Sequence, residues 1–212
     1  MKELKELKDD SLNHIINLGN ELHACLEAIN FNNINLDELD IDDSKKDIIK
    51  DGDLVSIDLV ILKNGFNGDA ARTFIVGNAS EEAKRLVEVT KQAFFEGIKF
   101  AKPGYRVGDI SNAIGNFVWN NGFDVVREFQ GHGIGREMHE EPGVPNFGKA
   151  GRGIRLEPGM TICIEPMVMA GREDIWELED GWTIATQDGS LSAHYENTIL
   201  ITENDAKVLT ML

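Results

Sequence analysis

The sequence predicts an α+β fold, with helices and antiparallel strands in separate runs and the chain built as two related halves. Three observations predict it. Amphipathic helical stretches and strand segments come in separate runs, instead of alternating one by one. The strand segments are short, β-branched and bounded by Gly, Asn and Asp turn signals. A motif of a strand ending in an acid occurs twice: KDGDLVSID ends with Asp58 six residues after Gly52, and EPGMTICIE ends with Glu165 six residues after Gly159.

The elements follow in order. Residues 11 to 29 place Leu12, Ile15, Ile16, Leu22, Leu26 and Ile29 at helical spacing. Residues 53 to 62, DLVSIDLVIL, read as a strand between Asp51-Gly52 and Asn64-Gly65, and the Asn-Gly pair predicts a hairpin into a second strand, ARTFIVG. SEEAKRLVEVTKQAFFEGIKFA opens with a serine cap and early acids and stops at Pro103-Gly104, a helix by pattern and punctuation. Val107 to Asn121 is a further helix, ended by Asn-Gly. The remainder reads as strands: DVVREFQGHG, GMTICIEPMV, GWTIATQDGS and SAHYENTILIT.

The two halves are unequal. NINLDELD and GYRVGDIS each follow a long helix, yet only a short segment separates Glu38 from Gly52, whereas a helix, a strand and the His132 segment separate Asp109 from Gly159. The first half is expected to lack roughly three dozen residues, a helix plus a strand at ordinary element lengths. The chain is read as one domain over 1–212, with pseudo-repeats at about 11–80 and 81–212.

Composition narrows the function. The chain has 212 residues, 42% hydrophobic and 27% charged, the profile of a water-soluble domain. Its net charge of -16 repels phosphate backbones and anionic lipid, which argues against direct nucleic-acid or membrane partners. The first ten residues lack a signal peptide's apolar core and no apolar run is long enough to cross a bilayer, so a cytoplasmic location is expected. Cys25 and Cys163 lack metal-type spacing, and Cys163, inside TICIEP, reads as a small core hydrophobe.

The chemistry lies in acids set among apolar residues. Asp58 sits in an apolar strand, and Asp69 lies across the hairpin from it, so the two can face each other. Glu165 and Glu196 each sit in an apolar strand, and His132 stands between Gly131 and Gly133. Any one of these is an ordinary strand-end residue; together they form a pattern. Clustered carboxylates raise one another's pKa unless cations neutralise them. Four carboxylates and one neutral imidazole match the charge of two divalent cations with hydroxide between them, a co-catalytic pair ~3.5–4 Å apart that hydrolyses amides or esters. The oxygen-rich ligand set suits Mn, Fe or Co, and admits Zn. The two glycines are expected to let the backbone approach the metals.

The segments DLVSIDLVILKNGFNGDAARTFIVG, GHGIGREMHEEPGVPN, LEPGMTICIEPMV and GWTIATQDGSLSAHYENTILIT together resemble type I methionine aminopeptidases of the pita-bread superfamily. The resemblance runs from about Ile48 to the C-terminus. It implies two pseudo-symmetric halves with a curved antiparallel sheet backed by helices, the first half truncated, and removal of methionine from the N-termini of peptides and nascent proteins. By resemblance, Asp58, Asp69, His132, Glu165 and Glu196 hold two divalent ions (Co, Mn, Fe or Zn), with Asp69 and Glu196 bridging. Glu165 also shuttles the proton, and His139 contacts the scissile peptide. Met138 and Trp182 line the pocket for the first side chain, and Ser192 lies near a monovalent-cation site. Ribosome proximity follows from the resemblance alone, and the oligomeric state reads as monomer or weak dimer.

The family's Cys-His-Gly-Ile-Pro stretch is not recognisable, and the place of its substrate histidine falls at Asp40, which cannot donate at neutral pH. Two other readings therefore stand beside the aminopeptidase: a pita-bread module that binds without turnover, and a related metallopeptidase acting on X-Pro substrates. His194, two residues before Glu196, reads either as a residue behind the ligands or as a near-surface one.

Overall fold

The structure, a computed structural model, describes residues 49–172 and 174–210. The helix read over 11–29, the NINLDELD repeat, Asp40 and the shortened segment before residue 49 lie outside them.

Strands β1 (Leu54–Lys63) and β2 (Phe66–Ile75) form an antiparallel hairpin in continuous register from Leu54 opposite Ile75 to Lys63 opposite Phe66. Asn64 and Gly65 both have positive φ, 52° and 80°, as a two-residue primed turn requires. β2 starts five residues before the ARTFIVG reading, because pairing continues right up to this turn. Ile57, Leu59 and Ile61 pack on Ala70 across one face of the hairpin. On the other face β1 presents Ser56, Asp58, Val60 and Leu62, all exposed, whereas Asn67, Asp69 and Ala71 of β2 are buried.

Two helices back the rest. α1 (Glu81–Ile98) starts at Ser80, whose hydroxyl accepts from Ala83 N at 3.1 Å, with Glu81 and Glu82 favourably placed in the first turn. α2 (Val107–Asn120) starts where Asp109 Oδ2 accepts from Arg106 N at 2.8 Å. Their apolar stripes, Leu86, Ala93 and Phe94 on α1 and Ile110, Ile114 and Val118 on α2, are fully buried. They form one core with Ile162, Ile164, Val168 and Ile199 of the sheets.

The remaining strands are β3 (Asp124–Val125), β4 (Gln130–Gly133), β5 (Glu140–Pro145), β6 (Thr161–Ile164), β7 (Met167–Met169), β8 (Ile175–Glu177), β9 (Ile184–Thr186), β10 (Ser192–His194), β11 (Asn197–Leu200) and β12 (Lys207–Val208). They form antiparallel sheets in the orders β10-β7-β3, β12-β11-β6-β4-β5 and β8-β9. Three segments that read as single strands each divide between the first two sheets: β3 and β4 within DVVREFQGHG, β7 and β6 within GMTICIEPMV, β10 and β11 within SAHYENTILIT. Two of these breaks fall at Glu165-Pro166 and Tyr195-Glu196. Pro166 offers no N–H to a ladder, which interrupts pairing beside an acid. β5 has no counterpart among the segments read as strands.

The turns at Gly52 and Gly159 share a backbone geometry. Gly52 and Gly159 both have positive φ, 96° and 94°. Gly52 N donates to Val76 O while Val76 N donates to Asp53 O; Gly159 N donates to Ile201 O while Ile201 N donates to Met160 O.

Candidate metal centre

Strand register gathers the acids. Asp58 pairs with Ala71, and Val60 pairs with Asp69. Asp58 and Asp69 are therefore diagonal neighbours on one face of the hairpin, two residues apart in register and not directly opposite each other. On the far side, Thr198 pairs with Cys163 and Asn197 with Ile164, and the same register carried one residue further sets Glu196 level with Glu165. Gly133 pairs with Ile162, which brings His132 alongside Cys163. Residues two apart share a face, so Asp58, Asp69, Cys163, Glu165 and Glu196 project to the same side.

His132 Nε2 lies 3.8 Å from Asp69 Oδ2 and 3.7 Å from Glu165 Oε1. His132 Nδ1 lies 2.8 Å from Gly133 O. A carbonyl only accepts, so Nδ1 carries a proton and Nε2 is the ring nitrogen that faces the acids. Ligand atoms of Asp69, His132, Cys163 and Glu196 lie within 4.8 Å of one another, as do those of Glu165, His194 and Glu196. Asp69 Oδ1 and Glu196 Oε1 are buried without a hydrogen-bond partner.

Electrostatics follow from this crowding. Burial, then the charges of Asp58 and Glu165 and a side-chain hydrogen bond with Asp58, push the Asp69 carboxyl up from 3.8 to about 8. Burial, then Glu165, Asp69 and Asp58, raise Glu196 well above the ordinary range. Buried acid oxygens with no protein partner, beside an imidazole nitrogen, are the donor set of a divalent-cation site. The chemistry of these residues fits such ions.

The other candidates are distributed as follows. His139 stacks edge-on against His132, ring centroids 4.4 Å apart and planes at 73°. Met138 is exposed in the loop between β4 and β5. Trp182 is 87% exposed at the turn joining β8 and β9, so it stands off the protein surface. Ser192 opens β10 opposite Met169. Together with His194, Met167, Met169, Ile175 and Ile184 it lines a cavity of about 220 Å³.

Several readings change. Asp58 is exposed, so its place in an apolar strand reflects alternation across two faces and not burial of the acid. Cys163 is fully buried, but its thiol belongs to the acid cluster, where burial, then Glu196 and Asp69, push its pKa up. Its apolar neighbours masked this; its position two before Glu165 on one strand was the available signal. His194 is half-buried, and its Nε2 lies 3.5 Å from Glu165 Oε2, beside the acids. The glycines beside His132 serve strand packing: a Cβ on Gly131 would lie 2.3 Å from Cys163 O, and one on Gly133 2.3 Å from Glu141 O.

Comparison with known proteins follows the same lines. Residues 14–203 match the model of metallopeptidase family M24. A methionine aminopeptidase of Clostridium perfringens is 56% identical over 164 residues, 77% of this chain and 66% of its own. Methionine aminopeptidase 1 of Bacillus subtilis is 48% identical over 77% of this chain and 66% of its own length. The chain thus spans just under two thirds of the length of these relatives. The crystal structure of a methionine aminopeptidase from Thermotoga maritima aligns with a TM-score of 0.76 at 50% identity, covering 78% of this chain and 66% of that one. A prolidase from Pyrococcus furiosus aligns with a TM-score of 0.62 at 30% identity, covering 77% and 43%. The chain has the α+β pita-bread fold, and it belongs to metallopeptidase family M24.

Proposed function

We propose that the chain is a metal-dependent aminopeptidase that removes N-terminal methionine from peptides and nascent chains. One observation carries this reading: Asp69, Glu165, Glu196 and Nε2 of His132 converge, with two carboxylate oxygens left unpartnered in a buried cluster. Asp58, beside Asp69, completes a set of four acids and one imidazole that would hold two divalent ions. When bound, such ions supply an activated water and polarise the peptide carbonyl. The roles of the side chains follow. Glu165 takes a proton from the attacking water and returns it to the departing amine, so the water oxygen joins the carbonyl carbon as the C–N bond breaks. His139, packed on His132, donates a hydrogen bond to the peptide. Met138 and Trp182 contact the first side chain, and the backbone at Ser192 binds a monovalent cation. Mn, Co, Fe and Zn are all compatible with the donor set. The matching bonds at Gly52 and Gly159 support one domain made of pseudo-repeats 11–80 and 81–212.

The test is turnover of Met-Ala-Ser with added Mn²⁺ or Co²⁺, beside a panel that includes X-Pro dipeptides. Metal-dependent release of methionine is expected. Cleavage of X-Pro alone would move the chain to the prolidase branch of the family, and metal binding without any turnover would make it a binding module.

A further inference from the structure

Between β2 and the segment running from β10 through Glu196 into β11, side chains splice the sheet. Residues match in antiparallel order: 69 with 198, 71 with 196, 73 with 194. The middle match is backbone to backbone, Glu196 N donating to Ala71 O at 2.9 Å. Hydroxyls make the outer two. Asp69 N donates to Thr198 Oγ1 at 2.9 Å, and Thr198 Oγ1 donates to Asp69 O at 3.0 Å. His194 N donates to Thr73 Oγ1 at 2.8 Å, and Thr73 Oγ1 donates to His194 O at 2.9 Å. A hydroxyl has one proton and two lone pairs. Each threonine therefore satisfies both backbone groups of its partner through one atom. Thr73 has given its proton to His194 O, so its contact with Ser56 Oγ at 2.7 Å has Ser56 as donor. Arg72 adds to the seam, its guanidinium donating to Glu196 O and to Asn197 Oδ1.

The seam joins backbones at, or two residues from, the two most crowded acids. Carboxylate oxygens of Asp69 and Glu196 lie within 4.8 Å of each other, a spacing that depends on how the segments carrying them are tied. We infer that Thr198 and Thr73 are positioning residues: their two-way hydroxyl clamps fix the separation of Asp69 and Glu196 at which divalent cations are held. The inference rests on the metal-centre reading above, and it assigns a role to two residues that touch no ion.

The test uses the full chain. Thr198→Val keeps the shape and removes the hydroxyl; Thr198→Ser keeps the hydroxyl; Thr73→Val cuts the outer clamp. Mn²⁺ affinity is measured by calorimetry, and the ligand field by visible absorption of the Co²⁺-loaded protein. Thr198→Val should weaken Mn²⁺ binding by about tenfold or more, the scale found when groups orienting metal ligands are lost, and should alter the Co²⁺ bands. Thr198→Ser should restore both, and Thr73→Val should weaken binding less, since Thr73 is only half-buried. Wild-type affinity and an unchanged Co²⁺ spectrum in folded Thr198→Val would overturn the inference. If Thr198→Val does not fold, Thr73→Val decides by the same two readouts. A wild-type chain that binds no Mn²⁺ would overturn the metal-centre reading and this inference together; a binding-competent wild type matched by its variants would overturn this inference alone.

Discussion

Asp69 concentrates the chemistry of the centre. Its carboxyl is raised to about 8 in the metal-free protein, so at pH 7 the folded state holds a proton that the unfolded state, at 3.8, has released. A folded pKa above the unfolded one means that the folded form binds more protons across that interval. Metal-free stability should therefore fall as pH rises from about 4 to about 8, which thermal melts across that range in the presence of a chelator would check. Ion binding must displace the same proton. Calorimetric titration with Mn²⁺ at pH 7 should give enthalpies that scale with the ionisation enthalpy of the buffer, with net proton release. Asp69→Asn removes a proposed ligand and the cost of holding a proton on a buried acid at once. We expect methionine release to fall by at least about a hundredfold, the upper end of losses for groups that orient a metal, while the metal-free melting temperature holds or rises.

At the level of the strand, His132 illustrates how side chain and backbone divide the work. The flanking glycines leave room for the carbonyls of Cys163 and Glu141 on the neighbouring strands. Gly131→Ala forces a methyl to 2.3 Å from a backbone oxygen and should cost about 1–3 kcal/mol, read as a lowered midpoint in urea even with chelator present. The hairpin β1–β2 was legible because Asn-Gly fixes its turn and β-branched alternation fixes its faces. The proximity of Asp69, Glu165, Glu196 and His132 was legible because charge among apolar residues needs a reason. The strand breaks were not: whether β6 ends at Ile164 depends on which sheet lies beyond it, and that is set by residues more than twenty positions away. Cys163 was missed for a related reason. A thiol in an apolar run looks like packing until the facing strands show which side it occupies. The exposure of Asp58 is not legible in the sequence, because neighbours along a strand say little about what covers each face.

For the molecule as a whole, one core under two helices supports a sheet interrupted along the line where Glu165 and Glu196 stand. Ile114, fully buried on α2, lies in that core; Ile114→Ala should cost about 2–5 kcal/mol whether or not ions are present. Ions that bind only the folded form should add about 2.7 kcal/mol at a hundredfold excess over Kd, so melts with and without chelator should separate by several degrees in the wild type and coincide in Asp69→Asn. The hairpin supplies two of the acids and the body supplies Glu165, Glu196 and His132. One short peptide stretch, residues 76 to 80, joins hairpin to body along the chain. A protease that nicks this stretch would leave two polypeptides sharing a single set of cations. The seam of Thr73, Thr198 and Arg72 still links them, so they should travel together on a sizing column, and a chelator should lower the temperature at which they part.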